Sequence, residues 1–477
     1  MQEDAYDVIV LGAGPVGETL AGRTAEAGLR TVIVESELIG GECSYWACMP
    51  SKALLRPAAA LAGARAVAGA SQAVDGSLDA AAVFARRDGF THHWKDDSQA
   101  DWLGSVDVDL VRGHGRFTGP REVAVDTTDG TTRTLTARHA VAVCTGSRAL
   151  VPNLPGVAEA DPWTSRDATS AHEVPRRLAV VGGGVVGVEM ATVYQTLGSR
   201  VTLLVRGEGL MPRMEPFAGE LVAEALREAG ADLRIGVSAT SVRREAPGGP
   251  VTVKLDDGGE VVADEILFAT GRAPRTADIG LETIGLEPGS WLEVDDTCRV
   301  TAMDDGWLYA VGDANHRALL THQGKYQARI AGGVIGARAR GAEKLETGPW
   351  GAHVATADSS AVPQVVFSLP EVAAVGLTAA EAERQGRRTK VVDYDLGQVA
   401  GASLFADGYR GRARMIVDLD RGHLIGVTFV GHGVGELLQS ATVAVAGEVP
   451  VERLLHAVPA YPTMSEVWLW LLEAYRS

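Results

Sequence analysis

Four glycines at fixed spacing occur twice in this chain, and the repeat sets its architecture. Gly12, Gly14, Gly17 and Gly28 return 170 positions later as Gly182, Gly184, Gly187 and Gly198. Ahead of each set lies a short apolar run, residues 6–11 (YDVIVL) and 178–181 (LAVV), and beyond each helix comes another, ending at Glu35 and at Val205. Strand, glycine turn, helix and strand is the order such a pattern dictates. The first glycine allows a tight turn, the second lets backbone approach a pyrophosphate, the third packs helix on strand, and the last caps the helix. The expected fold is α/β, with two Rossmann-like dinucleotide-binding domains.

The strand ends separate the two copies. Glu35 can bind a ribose hydroxyl, whereas the second copy has Val205 and then Arg206, so an acid that would repel a 2′-phosphate is replaced by a cation that can hold it. NADPH is therefore expected at the second site in preference to NADH, with Arg213, in GLMPRMEP, as a further phosphate ligand. Residues 140–147 (AVAVCTGS) and 266–272 (ILFATGR) end alike in Thr-Gly and read as closing strands of the two copies, placing Thr145, Gly146 and Gly271 at the nucleotides. Residues 307–313 (WLYAVGD) run into Gly312 and Asp313, and an Asp at such a strand end can hydrogen-bond a polyol.

Proline-containing crossovers at 151–156 and 273–276 divide the chain. A discontinuous first domain is expected at 1–152 and 277–346, a second at 153–276, and a C-terminal α+β domain at 347–477, where residues 363–367, 414–418 and 424–431 alternate like antiparallel strands. A length of 477 residues fits about three domains. The Ala-rich residues 53–82 read as helix, and His92-His93-Trp94 as a solvated face.

With 44 Lys and Arg against 61 Asp and Glu, and no basic tract, the net charge of -17 argues against nucleic acid or an anionic membrane as partner. The start, MQEDAYDVIVLG, carries acids where a signal peptide needs a basic segment, and no apolar run approaches the roughly 18 residues that span a bilayer. A cytoplasmic location is expected.

Four cysteines are too few for a disulfide scaffold, yet two of them lie together in residues 40–52, GGECSYWACMPSK. Five residues along a regular helix put Cα atoms about 8.5 Å apart, beyond the roughly 7 Å a disulfide tolerates. If Cys43 and Cys48 bond, the helix start must be distorted, and Gly40-Gly41 and Pro50 are compatible with that. Such strain favours a redox role, and a thiolate at a helix N-terminus with Lys52 one turn onward is stabilised electrostatically. Zinc is the rival reading, with an incomplete ligand set, so no metal site is assigned. Cys144 and Cys298 read as buried apolar residues.

Together these motifs resemble the pyridine nucleotide-disulfide oxidoreductase family, the flavoproteins that include dihydrolipoamide dehydrogenase, glutathione reductase and mercuric reductase. The resemblance covers nearly the whole chain: the first fingerprint, the C-x-x-x-x-C-x-P-S-K segment, the second fingerprint, the central Gly-Asp and a C-terminal Pro-Thr-x-Ser-Glu. It implies FAD at Gly12, Gly14, Gly17, Glu35 and Asp313, a redox-active Cys43-Cys48 disulfide, and a homodimer built by the C-terminal domain. It further implies that Cys48 faces the flavin, that Cys43 attacks the substrate, and that Lys52 pairs with Glu189.

Three departures bear on the acceptor. Most disulfide reductases of the family carry a histidine before Pro-Thr, where this chain has Tyr461, leaving Glu466 without its usual partner. A histidine near pKa 6.5 both takes and returns a thiol proton, whereas a tyrosine near 10 donates but rarely accepts. Mercuric reductases resemble this chain in that tyrosine and in Val185, but the C-terminal LLEAYRS lacks their paired cysteines. His456 is a candidate substitute base, and Tyr45 and Trp46 sit in the spacer between the cysteines. The expected activity is electron transfer from NADPH through FAD and the dithiol to a small-molecule acceptor, a disulfide outside the usual set or a metal. The alternatives are direct quinone or dye reduction, a redox sensor, and a dihydrolipoamide dehydrogenase disfavoured by Tyr461 and Arg206.

Overall fold

The computed structural model describes residues 4–477; residues 1–3, part of the acidic start, lie outside the described residues. The chain forms two compact units, one of residues 1–50, 88–148 and 272–358, the other of residues 51–87, 149–271 and 359–477.

In the first unit, Asp4–Leu11 is the central strand of a sheet. It pairs in parallel with Thr31–Glu35 on one side and with Thr132–Val143 on the other, in registers that set Val8 opposite both Thr31 and Ala140. Helices cover a parallel sheet on both faces, so its strands read as unbroken apolar runs rather than alternating ones. Val8, Ile9 and Val10 are accordingly fully buried, each worth roughly 1.5–3 kcal/mol. Thr132–Val143 does close on the first strand, but the outer position belongs to Leu308–Ala310, paired in parallel beyond it. Val108–Gly119 lies parallel to Thr31–Glu35 and continues through Glu122–Thr127 into Thr132–Val143 as an antiparallel meander.

The second unit contains a four-stranded parallel sheet ordered Glu265–Phe268, Arg177–Val181, Arg200–Val205, Asp232–Ile235. It also holds the three-stranded antiparallel sheet 239–263 and a five-stranded antiparallel sheet that includes Pro363–Val366, Arg412–Asp418 and His423–Gly431. All nine residues of His423–Gly431 are buried, between the C-terminal helices and the strands on either side.

The continuous helix expected over residues 53–82 is corrected. One helix runs Cys48–Arg65, a second begins at Ala80, and Gly69 and Gly76 at φ +90° and +80° occupy the gap. Alanine content favours helix only where the backbone stays right-handed, and these glycines take it out of that region. His92 and His93 are exposed. No helix among the described residues is long and apolar enough to cross a membrane.

Candidate active site

The two glycine fingerprints have one geometry. Gly12 (φ +97°) and Gly182 (φ +121°) take conformations that L side chains avoid, and a Cβ on them would meet Cys144 O at 2.6 Å and Ala269 O at 2.3 Å. A Cβ on Gly17 or Gly187 would lie 1.9 Å from the carbonyl oxygen of Gly12 or Gly182, so helix and turn touch through backbone alone. Gly14 and Gly184 differ: a Cβ there meets nothing within 4 Å. That open space stands before the free N–H groups of the helices Pro15–Glu26 and Val185–Thr196, where a pyrophosphate is best received.

The first turn is completed by polar groups suited to a dinucleotide. Glu35 Oε2 accepts from Ala13 N at 2.6 Å and Oε1 from Glu37 N at 2.7 Å. Burial pushes the Glu35 carboxyl above its ordinary value, and these backbone donors work against that shift. Asp313 accepts from Ser147 Oγ and lies 3.7 Å from Arg272 Nε; its burial likewise raises its pKa. Thr145 Oγ1 is buried with no hydrogen-bond partner among the described residues, and Gly146 beside it has φ +73°. An orphaned hydroxyl at the end of the central sheet, together with the open space at Gly14, fits a missing polar ligand. Glu35, Asp313, Thr145 and the three glycines thus gather at one end of this sheet.

At the second turn Val205 replaces the carboxylate, and its methyl carbons would lie 2.9 and 3.0 Å from a Cβ on Gly183, so they crowd the turn. Arg206 and Arg213 are both exposed and, among the described residues, make no hydrogen bond or ion pair. The loop between them is pinned by Met211 N donating to Gly183 O at 2.8 Å. Gly271, in the same unit, has φ +143° and accepts from Leu150 N.

The dithiol segment is broken where the spacing argument requires it. Gly41–Tyr45 is a five-residue helix, Trp46 leaves helical geometry at φ -135°, and Cys48 opens the 18-residue helix Cys48–Arg65. Gly40 N donates to Ala13 O at 2.7 Å, and a Cβ on Gly41 would lie 2.8 Å from Gly14 Cα, so the two glycines let this segment lie against the first fingerprint. Both cysteines are half-buried. Cys48 Sγ is 3.3 Å from Thr321 Oγ1, the first residue of the helix Thr321–Ala339. Nothing in the local sequence marks Thr321, which lies 273 residues away. Tyr45 is fully buried with its hydroxyl donating to Lys95 O at 3.1 Å, so it packs rather than facing a substrate, while Trp46 is half-buried. Cys144 and Cys298 are buried, and burial raises both thiol pKa values.

One turn beyond Cys48, Lys52 Nζ lies 2.7 Å from Glu189 Oε2. Glu189 is 3% exposed, and its other oxygen accepts from Phe367 N at 3.0 Å. The Lys52 ammonium also stands over the Phe367 ring, 5.1 Å from its centroid. The family resemblance implies the pair, but no spacing in the sequence marks Phe367.

Tyr461 is 76% exposed, and His456 is exposed as well. Glu466 is buried, and its Oε2 has no hydrogen-bond partner among the described residues. The side chains Val458, Leu469 and Trp470 around this stretch are exposed and apolar.

Residues 6–331 match the family model for pyridine nucleotide-disulphide oxidoreductases, and residues 362–472 match that family's dimerisation domain. The chain is 32% identical over 473 residues to a dihydrolipoyl dehydrogenase of Thermus scotoductus, covering 98% of this chain and 97% of that one. It is 30% identical over 464 residues to a mercuric reductase of Staphylococcus aureus, covering 97% and 81%. It also shares the fold of the HOCl-induced flavoprotein disulfide reductase RclA from Escherichia coli, solved as a Cu(II) complex, with TM-score 0.83, 23% identity and 99% of each chain covered.

Proposed function

Because this chain belongs to the pyridine nucleotide-disulphide oxidoreductase family, we propose that it takes electrons from NADPH and passes them through Cys43 and Cys48 to a disulfide outside the usual set or to a metal ion. Members are FAD-dependent enzymes with NAD(P)H as donor. FAD, held by Gly12, Gly14, Gly17, Glu35, Thr145, Gly146, Gly312 and Asp313, would supply a two-electron relay between the nicotinamide and the thiols. Gly182, Gly184, Gly187 and Gly271 would line the NADPH site, and the exposed Arg206, just past a strand that ends without an acid, and Arg213, in the loop that follows, would hold its 2′-phosphate.

The observation that carries this reading is the setting of Cys48. Its sulfur stands at the start of an 18-residue helix with no acid in the first turn, 3.3 Å from a hydroxyl that can donate to it. Both features favour the thiolate. Lys52, held by Glu189, keeps a positive charge one turn onward. Cys43 is then the thiol that attacks the acceptor, and its proton must go to a group other than an imidazole at position 461. Tyr461, in the place of that histidine in the sequence, can donate a proton to a departing group, and Glu466 is the other candidate that the family resemblance names. This favours acceptors whose reduction does not need an imidazole to shuttle the thiol proton.

A homodimer formed by residues 347–477 is part of this proposal, supported by the match to the dimerisation domain and by the exposed apolar Val458, Tyr461, Leu469 and Trp470. Domain limits of 1–152 with 277–346 for FAD and 153–276 for NADPH belong to it as well, and the cytoplasmic location rests on the sequence argument alone. The test is Cys43→Ser assayed with NADPH against a disulfide panel, Hg(II), Cu(II) and a quinone. Loss of disulfide or metal turnover by 100-fold or more is expected. The absence of the histidine favours a second reading, in which a quinone or dye is reduced without the dithiol; full quinone turnover in Cys43→Ser with no disulfide or metal reduced by the wild type would establish it instead.

A further inference from the structure

On the first unit, away from its glycine fingerprint, Arg121, Arg138, His139, Asp305, Tyr309 and Arg338 line a cleft of about 200 Å³. Three arginines and a histidine share this lining with one acid, Asp305. Most of these cations already have a partner. Arg138 Nη1 donates to Asp7 at 3.1 Å, with His139 Nε2 3.9 Å from the same oxygen, and Arg338 Nη1 donates to Gly306 O at 2.8 Å and to Tyr309 Oη at 3.2 Å.

Arg121 is the exception. It sits in the tight turn between Val108–Gly119 and Glu122–Thr127 at φ +60°, a left-handed conformation that is costly for a side chain of this size. Its carbonyl accepts from Ala137 N at 2.9 Å, which holds the turn against the strand that carries Arg138 and His139. Its Nε is buried and has no hydrogen-bond partner among the described residues. A buried donor left unmade is expensive, and one on a charged group more so. Asp305, exposed at the rim, does not reach it: no ion pair joins them.

We infer that this cleft binds a small oxyanion of phosphate or sulfate size, with Arg121 as its principal ligand. A planar guanidinium fork matches the oxygens of such an anion, and an oxygen placed opposite Nε supplies the acceptor the protein withholds. The volume admits a tetrahedral anion with a few waters and excludes a dinucleotide, and none of the lining residues belongs to a glycine fingerprint.

The test is isothermal titration of inorganic phosphate into the FAD-loaded enzyme at low ionic strength, in wild type, Arg121→Gln, Arg138→Gln and Arg206→Ala. Saturable binding is expected in wild type and Arg206→Ala, weakened at least tenfold in Arg121→Gln and about threefold in Arg138→Gln. Because Arg121→Gln removes an unsatisfied group, its melting temperature in phosphate-free buffer should equal or exceed that of wild type. No saturable binding in wild type would overturn the inference. So would binding lost in Arg206→Ala and kept in Arg121→Gln, which would place phosphate at the nucleotide site. If Arg121→Gln does not fold, unchanged affinity in Arg138→Gln overturns it as well.

Discussion

At Gly12 and at Gly182 the same collision with a neighbouring carbonyl oxygen forbids a side chain, yet the strands that follow end in Glu35 in one turn and in Val205 and Arg206 in the other. Backbone contacts therefore make the turn, while one or two side chains at its rim choose what the turn holds. The helices diverge in the same way. The position after the third glycine is Glu18 in the first copy and the fully buried Val188 in the second, and the residue after that is Thr19 in one and Glu189, bonded to Lys52, in the other. Geometry is repeated; charge is not.

The comparison breaks most severely at the third glycines. A methyl group 1.9 Å from a carbonyl oxygen cannot be accommodated without moving the turn, so Gly17→Ala should purify without flavin, while Gly187→Ala should stay yellow and lose NADPH-dependent turnover by roughly 1,000-fold or more. Absorbance spectra and steady-state assays read the two separately. If either variant loses both nucleotides, the turns are not independent.

Arg206→Ala sharpens the contrast at the rims. Losing a charge-assisted hydrogen bond of about 1.5–3 kcal/mol predicts a 10- to 100-fold fall in kcat/KM for NADPH and little change for NADH. Equal losses for both coenzymes would remove the 2′-phosphate assignment.

A smaller effect is expected where the helices differ. Lys52→Gln leaves the buried Glu189 carboxylate with Phe367 N as its remaining hydrogen-bond donor, and because Lys52 is partly exposed the cost should be about 2 kcal/mol, below the roughly 3–5 kcal/mol of a fully buried pair. Denaturant unfolding would measure it, and Lys52→Gln combined with Glu189→Gln should recover part of the loss.

A further effect depends on pH. Burial pushes Glu18 from its ordinary 4.5 up to about 7, with Lys325 opposing the shift. Between those values the folded chain holds a proton that the unfolded chain has released. The stability this group contributes is thus complete at low pH and is lost as pH rises through about 7. Glu18→Gln should therefore melt about 2–4 °C above wild type at pH 8 and close to it at pH 5. A difference independent of pH would show that Glu18 does not titrate in this range.

What could be seen in the sequence follows from what is local. The fingerprints were legible because each spans a single strand, turn and helix, and the break between Cys43 and Cys48 because helix geometry forbids a close approach at that spacing. Residues brought together by the fold were not. Thr321 meets Cys48 across 273 positions, Phe367 reaches Glu189 across 178, and Ser147 and Arg272 join Asp313 with no spacing signal. The overlong helix expected at 53–82 has another cause: alanine propensity favours helix throughout, whereas the left-handed Gly69 and Gly76 break it in the chain.

The central claim is that Cys43 and Cys48 lie in the path of electrons from NADPH. Its most direct test is anaerobic titration of the flavin-loaded enzyme with NADPH, counting thiols that react after each equivalent in wild type and Cys48→Ser. The account predicts two new thiols per subunit in wild type as the first equivalent is consumed, with a long-wavelength absorbance band that Cys48→Ser lacks. Bleaching of the flavin with no new thiols, and the same titration curve in both proteins, would contradict it.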